Sequence, residues 1–267
     1  METQPDGVDR LPAERHVFDR CVGFVRGFAE RRATRVAWSE HGLALFDDQL
    51  PKAWDLNVLW LVSAASASAY ELAAEADRLQ GGANLAHRRV IACGVAGARL
   101  APEFDALGWQ YKSFLVMPQT CTGQPIDVTR VVELTAAELE SFWVEGIRKA
   151  PWADHEVVRQ LSAAQGRRRR AAQVRYFALR VDRQIASTCE LFCHDRVAQV
   201  ESVMTAEHQR GKGYASSVIS RATTEARATG HELVFVLADA SDRAQHLYRS
   251  LGFQPAGRIW QFTRLPT

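Results

Sequence analysis

Gln209-Arg210-Gly211-Lys212-Gly213-Tyr214-Ala215 is the most informative stretch of this chain. It follows a strand-like run, Val197 to Thr205, and opens a helical pattern that continues to about residue 228. Two glycines and an alanine leave the backbone free of bulk at this strand-to-helix turn. Because several N–H groups and the positive end of the helix dipole point the same way there, the turn predicts an anion site. Arg210 and Lys212 add positive charge, and a diphosphate is the expected guest.

The turn differs from the two common nucleotide-binding loops. The pattern Gly-x-x-x-x-Gly-Lys-Ser/Thr does not occur, and the third glycine of Gly-x-Gly-x-x-Gly would fall at Ser216. A Gly-x-Gly is weak evidence by itself, but a companion segment follows it. This segment is a strand-like run, Leu233 to Asp239, and then a helical pattern that carries Tyr248 and stops at Gly252.

Together the two segments resemble the signatures of the GNAT acetyltransferase superfamily. The matching residues are Arg210-x-x-Gly213-x-Ala215 and Ala244-x-x-Leu247-Tyr248-x-x-x-Gly252-Phe253. The resemblance covers the second half of the chain. It implies an acetyl-CoA-dependent N-acetyltransferase in which the acceptor amine attacks the thioester directly in a ternary complex. The alternative is a non-catalytic sensor or scaffold that binds acyl-CoA.

The resemblance also implies which residues bind acetyl-CoA, and it implies no metal. The diphosphate would lie on the turn, at Gln209, Arg210, Gly211, Lys212, Gly213, Tyr214, Ala215 and Ser216. The backbone of the preceding strand would hold the pantetheine arm, at Val203, Met204 and Thr205. Ser241 stands where the family often has asparagine, and it would line the same pocket.

Two side chains are candidates for the chemistry. A lysine-like amine has a pKa of about 10.4, so its deprotonation at pH 7 costs about 4–5 kcal/mol, and a carboxylate can accept that proton. Glu201, on the strand before the turn, is the main candidate; Glu190 and a merely solvated acid are the alternatives. Strict strand alternation would place Glu201, Val203 and Thr205 on one face. By resemblance Tyr248 would protonate the leaving thiolate; the alternative is a core aromatic.

The two halves of the chain end in similar motifs, Leu107-Gly108-Trp109-Gln110 and Leu251-Gly252-Phe253-Gln254. We therefore predict a mixed α+β protein of two tandem GNAT-like units, each a mainly antiparallel twisted sheet flanked by helices; a common helix-ending motif used twice is the alternative. The first unit lacks the glycine turn and the tyrosine, and we expect it to be degenerate. The predicted organisation is a disordered leader 1–12, a degenerate unit 13–117, a linker 118–130 and a catalytic domain 131–267.

Composition limits the partners and the compartment. The formal net charge is +2, so there is no global attraction to nucleic acid or to anionic membranes. Five cysteines, odd in number and without a Cys-x-x-Cys pair, favour a reducing, cytoplasmic setting. We expect a small-molecule amine as acceptor, with protein lysine as the alternative, no membrane or nucleic-acid partner, and a monomer or homodimer. Arg167 to Arg170 indicate either a solvated helix end or recruitment of an anionic partner.

Overall fold

The computed structural model describes residues 12–64, 66–123 and 125–266. The expected leader, 1–12, lies outside these residues except for Pro12, where the first helix begins. The chain divides into two compact units. Unit 1 contains Met1–Val116, Asp239–Ser241 and Ala256–Thr267, and unit 2 contains Met117–Ala238 and Asp242–Pro255. Among the described helices, none combines the length and the apolar character that a membrane span requires.

Unit 1 is a six-stranded sheet with three helices. Its elements are α1 (Pro12–Arg32), β1 (Arg35–Trp38), β2 (Gly42–Phe46), β3 (Val58–Leu61), α2 (Ala69–Ala76), β4 (Arg88–Cys93), α3 (Gly94–Ala106), β5 (Gln110–Pro118) and β11 (Gly257–Arg264). The strand order is β1-β2-β3-β4-β11-β5, and β3–β4 is the parallel pair. Ser68 caps α2 in a capping box with Glu71, and a π-helical turn, Asp77–Gly81, extends that helix.

The last strand of the chain is built into unit 1. Ile259 lies opposite Cys93 on β4 and Phe114 on β5, in antiparallel register on both sides. Trp260 and Phe262 join the buried core of this unit, where the Phe262 and Phe104 rings stack with centroids 4.3 Å apart. The observed units therefore divide the chain differently from the expected domain 131–267. Alternating apolar residues identify β11 as a strand, but they do not specify which sheet receives it.

Unit 2 is a five-stranded sheet with four helices. Its elements are β6 (Val131–Leu134), α4 (Ala136–Arg148), α5 (His155–Ala171), β7 (Gln173–Val181), β8 (Gln184–His194), β9 (Val197–Thr205), α6 (Tyr214–Ala228), β10 (Leu233–Asp239) and α7 (Ala244–Ser250). The strand order is β10-β9-β8-β7-β6, and β9–β10 is the parallel pair. The predicted mixed α+β class with mainly antiparallel sheets is confirmed. The short β6 was not predicted.

Local sequence explains the meander at the centre of unit 2. Asp182 and Arg183 both have positive φ, 49° and 67°, which suits the tight turn between β7 and β8. Thr135 and Glu138 form the predicted capping box at the start of α4. Leu139 and Trp143 of α4 pack on Tyr176 of β7, which fixes this helix against the sheet face that carries the polar residues described below.

The segment expected to be a linker is part of unit 2. The Gln119 amide donates to the carbonyl of Val234 on β10, and the Gln254 amide donates to the carbonyl of Pro118. A Cβ at Gly123 would lie 2.8 Å from the Ser250 carbonyl oxygen. The composition of 118–130 indicates irregular backbone, but close packing of such backbone is not visible in composition.

Candidate active site

The site begins where two parallel strands of unit 2 separate. Residues 197–200 of β9 pair with 233–236 of β10, and the pairing stops at Val200 and Val236. Beyond that point β9 pairs with β8 alone, and no described strand covers its other edge. Val203, Met204 and Thr205 lie on this open stretch. An uncovered strand edge offers N–H and C=O groups to an extended amide-bearing ligand, as another strand would.

A β-bulge redirects the side chains on this stretch. Glu190 lies opposite Glu201, and Thr188 lies opposite Met204, so Cys189 alone faces both Ser202 and Val203. Ser202 has φ 52°, in the left-handed region. The extra residue breaks the strict alternation of side chains, so the expected shared face of Glu201, Val203 and Thr205 is wrong. Glu201 instead shares its face with Met204.

The turn after β9 has the backbone that the glycines predict. Gly211 and Gly213 have φ 77° and 79°, and Gly213 is the N-cap of α6. Within the described ranges no acceptor faces the backbone N–H groups of residues 211–216. A Cβ on either glycine would meet no atom within 4 Å. The turn therefore presents a run of free donors beside open space, which is the geometry of an anion site.

A cavity of about 420 Å³ lies against this turn. Its lining is Ile126, Asp127, Arg130, Leu179, Lys212, Gly213, Tyr214, Ser216 and Ser217. Arg130 donates to the Arg180 carbonyl at 3.2 Å, and its guanidinium lies 5.9 Å from the centre of the Tyr214 ring. A second cation therefore joins Lys212 beside the free amides. Sequence reasoning missed Arg130, because the segment before β6 gave only a loop signal.

Glu201 is half-buried on β9 and is held in place by two donors. Gln199 Nε2 donates to Glu201 Oε2 at 2.6 Å, and the Ser202 amide donates to Oε1 at 3.1 Å. Burial raises the pKa of this carboxyl above its usual value, and the Ser202 amide and Arg168 oppose the rise. A carboxylate with a raised pKa is a stronger proton acceptor, which suits a general base.

Glu190 is fully buried and bound to an arginine of α5. Arg168 Nη1 donates to both carboxylate oxygens, at 2.6 and 2.7 Å, and also to Ser202 Oγ at 3.2 Å. The arginine run therefore lies inside α5 and not after it, and Arg168 belongs to the site rather than to a solvated helix end. The helical period turns one of four consecutive arginines inward, and the sequence alone does not show which.

Tyr248 lies on α7 with 8% of its surface exposed. Its ring meets that of Phe253 edge to face, with centroids 6.0 Å apart. Burial raises the pKa of Tyr248 above its usual value, and the negative charges of Glu201 and Asp242 contribute to the same shift. The phenol is therefore neutral at physiological pH and able to donate a proton.

The comparisons with known proteins agree with this geometry. The acetyltransferase (GNAT) family model matches residues 135–253. Residues 135–253 therefore form a GNAT acetyltransferase domain. A domain of this family supports an acyltransferase activity. No curated protein matches its sequence significantly.

Solved structures of similar fold cover most of the chain. A protein of unknown function from Staphylococcus epidermidis is similar at 12% identity and TM-score 0.67, covering 88% of this chain and 95% of that one. A GCN5-related N-acetyltransferase from Kribbella flavida has 18% identity and TM-score 0.61, covering 94% and 95%. A tandem GNAT protein from the clavulanic acid biosynthesis pathway has 13% identity and TM-score 0.52, covering 74% and 70%. At these identities the likeness is one of fold, and it includes the tandem arrangement.

Most of the residues predicted for the GNAT site lie in unit 2. Glu201, Tyr248, the open stretch of β9 and the turn 209–216 are all part of it. Ser241 is grouped with unit 1, and its hydroxyl donates to Asp239 Oδ1 at 2.6 Å. A contact between Ser241 and acyl-CoA remains a prediction.

Proposed function

We propose that this GNAT protein transfers an acetyl group from acetyl-CoA to an amine by direct attack within a ternary complex. The proposal depends mainly on one observation: the open strand edge and the turn with free amides are continuous along the chain. An uncovered strand edge, 201–205, leads directly into the free amides of 211–216. The strand edge suits the amides of pantetheine, and the turn suits the diphosphate. Arg130 and Lys212 line the same cavity, and their positive charges would attract the phosphates.

The proposed base is Glu201, and the proposed acid is Tyr248. Glu201 accepts the amine proton directly or through a water molecule. Tyr248 donates its proton to the thiolate that leaves when the carbon–sulfur bond breaks. Glu190 is unsuited to either role, because both of its oxygens are bound to Arg168 in a buried ion pair.

A small-molecule amine is the acceptor that we propose, with protein lysine as the alternative. A cavity of about 350 Å³ lies between α4 and α5, and Trp143, Glu140 and Arg169 are among its lining residues. Trp143 packs on Tyr176, with ring centroids 5.3 Å apart, and Tyr176 pairs with Glu190 across the sheet. The cavity volume is in the range that takes a small molecule. A reducing, cytoplasmic setting is part of the proposal, because it suits five unpaired cysteines.

The pH dependence of the reaction tests the proposal. A base must be deprotonated to act, so activity should rise with pH through the pKa of Glu201 in the free enzyme. Because burial raises that pKa, the midpoint of the acid limb of kcat/KM should lie above about 4.3, the usual value for glutamate. Glu201→Gln should remove this limb and lower kcat/KM about 10²-fold to 10⁴-fold.

The measurement is release of free CoA from acetyl-CoA across a panel of amines, at each pH, for wild type and Glu201→Gln. Acetyl-CoA binding should be unchanged in the variant. Binding of acetyl-CoA with no turnover on any amine would favour the sensor instead. An unchanged acid limb in Glu201→Gln would show that another group is the base.

A further inference from the structure

The arginine run places one guanidinium beside Ser202, the residue that follows the proposed base. Arg168 reaches from α5 to the sheet, and its Nη1 atom donates to Glu190 and to Ser202. We propose that Arg168, held by buried Glu190, is a positioning residue that fixes the β-bulge at Ser202 and balances the charge beside Glu201. The proposal rests on the proposed function for the role of Glu201 as base, and it concerns how this chain prepares that base.

The burial of the ion pair argues for a role beyond stability. The Glu190 side chain is 2% exposed and that of Arg168 is 24% exposed. Such a pair is often no more stabilising than apolar residues of similar volume. Glu190 lies directly opposite Glu201 on the neighbouring strand, and two like charges in that position repel each other. Arg168 supplies the positive charge that makes this arrangement tolerable.

The same guanidinium also holds the bulge. Ser202 is a non-glycine residue with φ 52°, a conformation that its Cβ disfavours. Arg168 Nη1 lies 3.2 Å from Ser202 Oγ, and the Ser202 amide donates to Glu201 Oε1 at 3.1 Å. Arg168 therefore fixes the residue whose amide orients the carboxylate of Glu201. Loss of Arg168 would free both the bulge and the carboxylate.

Three packed elements bring titratable or charged groups towards Glu201. Glu190 faces it from β8, Arg168 from α5 and Tyr248 from α7, and Tyr176 on β7 faces Glu190. Besides the dominant effect of burial, Arg168 lowers the pKa of Glu201 and Glu190 raises it. Removing Arg168 should therefore raise the pKa of Glu201, whereas removing the charge of Glu190 should lower it.

Two single variants that break the same ion pair provide the test. Glu190→Gln removes the negative charge opposite Glu201 and should move the titration midpoint of Glu201 down by roughly half a unit to one unit. Arg168→Met should move it up by about the same amount. Arg170→Met, an exposed neighbour on the same helix, removes an equal charge and should leave it unchanged.

The readout is ¹³C NMR titration of glutamate carboxyl groups in the full chain, with the Glu201 signal identified by its loss in Glu201→Gln. The acid limb of kcat/KM should shift in the same directions. The titration requires no turnover, so failure to find acetyl transfer would contradict the proposed function and leave this test intact.

If Arg168→Met does not fold, the double variant Arg168→Met/Glu190→Gln replaces it, and the titration midpoint of Glu201 in the double variant should lie above that in Glu190→Gln. Shifts of equal sign in the two single variants, or no shift in either, would overturn the proposal, as would a double variant whose midpoint does not exceed that of Glu190→Gln.

Discussion

Gly213→Ala is expected to weaken acetyl-CoA binding by about tenfold to a hundredfold, a loss of roughly 1.4–2.7 kcal/mol. Gly213 has φ 79° and caps the helix whose first amides are free. A methyl group there strains the left-handed backbone by about 1–2 kcal/mol. It also projects into the open space beside the donors, where the account places the diphosphate. Hydrogen bonds to a charged group contribute about 1.5–3 kcal/mol each, so displacement of one such bond accounts for the expected loss.

Gly230→Ala is the matched control. Gly230 follows the opposite end of α6, has φ 88° and also has open space at its Cβ. Alanine at position 230 is strained in the same way, but this position lies outside the proposed site. Acetyl-CoA binding should therefore be unchanged in Gly230→Ala. Calorimetric titration of both variants makes the comparison. Equal losses in the two variants would mean that backbone strain, and not the phosphate contact, explains the effect.

Tyr248→Phe is expected to lower kcat by about 10²-fold to 10⁴-fold, the usual contribution of general acid catalysis, and to leave the affinity for acetyl-CoA unchanged. The change removes one hydroxyl and keeps the ring that packs on Phe253. Burial raises the pKa of this phenol, which keeps it protonated. Its loss leaves the thiolate to depart without a proton, so the effect falls on the chemical step.

The measurement is steady-state CoA release together with equilibrium binding for wild type, Tyr248→Phe and Tyr70→Phe. Tyr70 is 74% exposed and lies in unit 1, so its variant should behave as wild type. A Tyr248→Phe enzyme with full kcat would assign this tyrosine to the core and leave the acid unidentified.

The backbone of the glycine turn was predictable because its determinants are local. Glycine at 211 and 213, between a strand pattern and a helical pattern, specifies positive φ and free amides without reference to distant residues. The capping box at Thr135 and the turn at Asp182-Arg183 are local for the same reason. Each of these features lies within a few residues of the signal that predicts it.

The features that sequence reasoning missed depend on long-range packing. Ser202 carries the left-handed conformation of the bulge, and no glycine marks the position. Arg168 is one of four arginines, and only the position of Glu190 distinguishes it. Arg130 joins the cavity by a contact with Arg180, fifty positions along the chain. The sheet that receives β11 is determined by partners in the first half of the chain.

The most direct test of the central claim is the response of backbone amides to acetyl-CoA in the intact chain. If acetyl-CoA binds along the strand edge and the turn, we expect saturable ¹H–¹⁵N shifts for residues 211–216 and for Val203, Met204 and Thr205, with the shifts at the turn reduced in Gly213→Ala. A folded protein whose amides at 211–216 do not respond to saturating acetyl-CoA would contradict this claim.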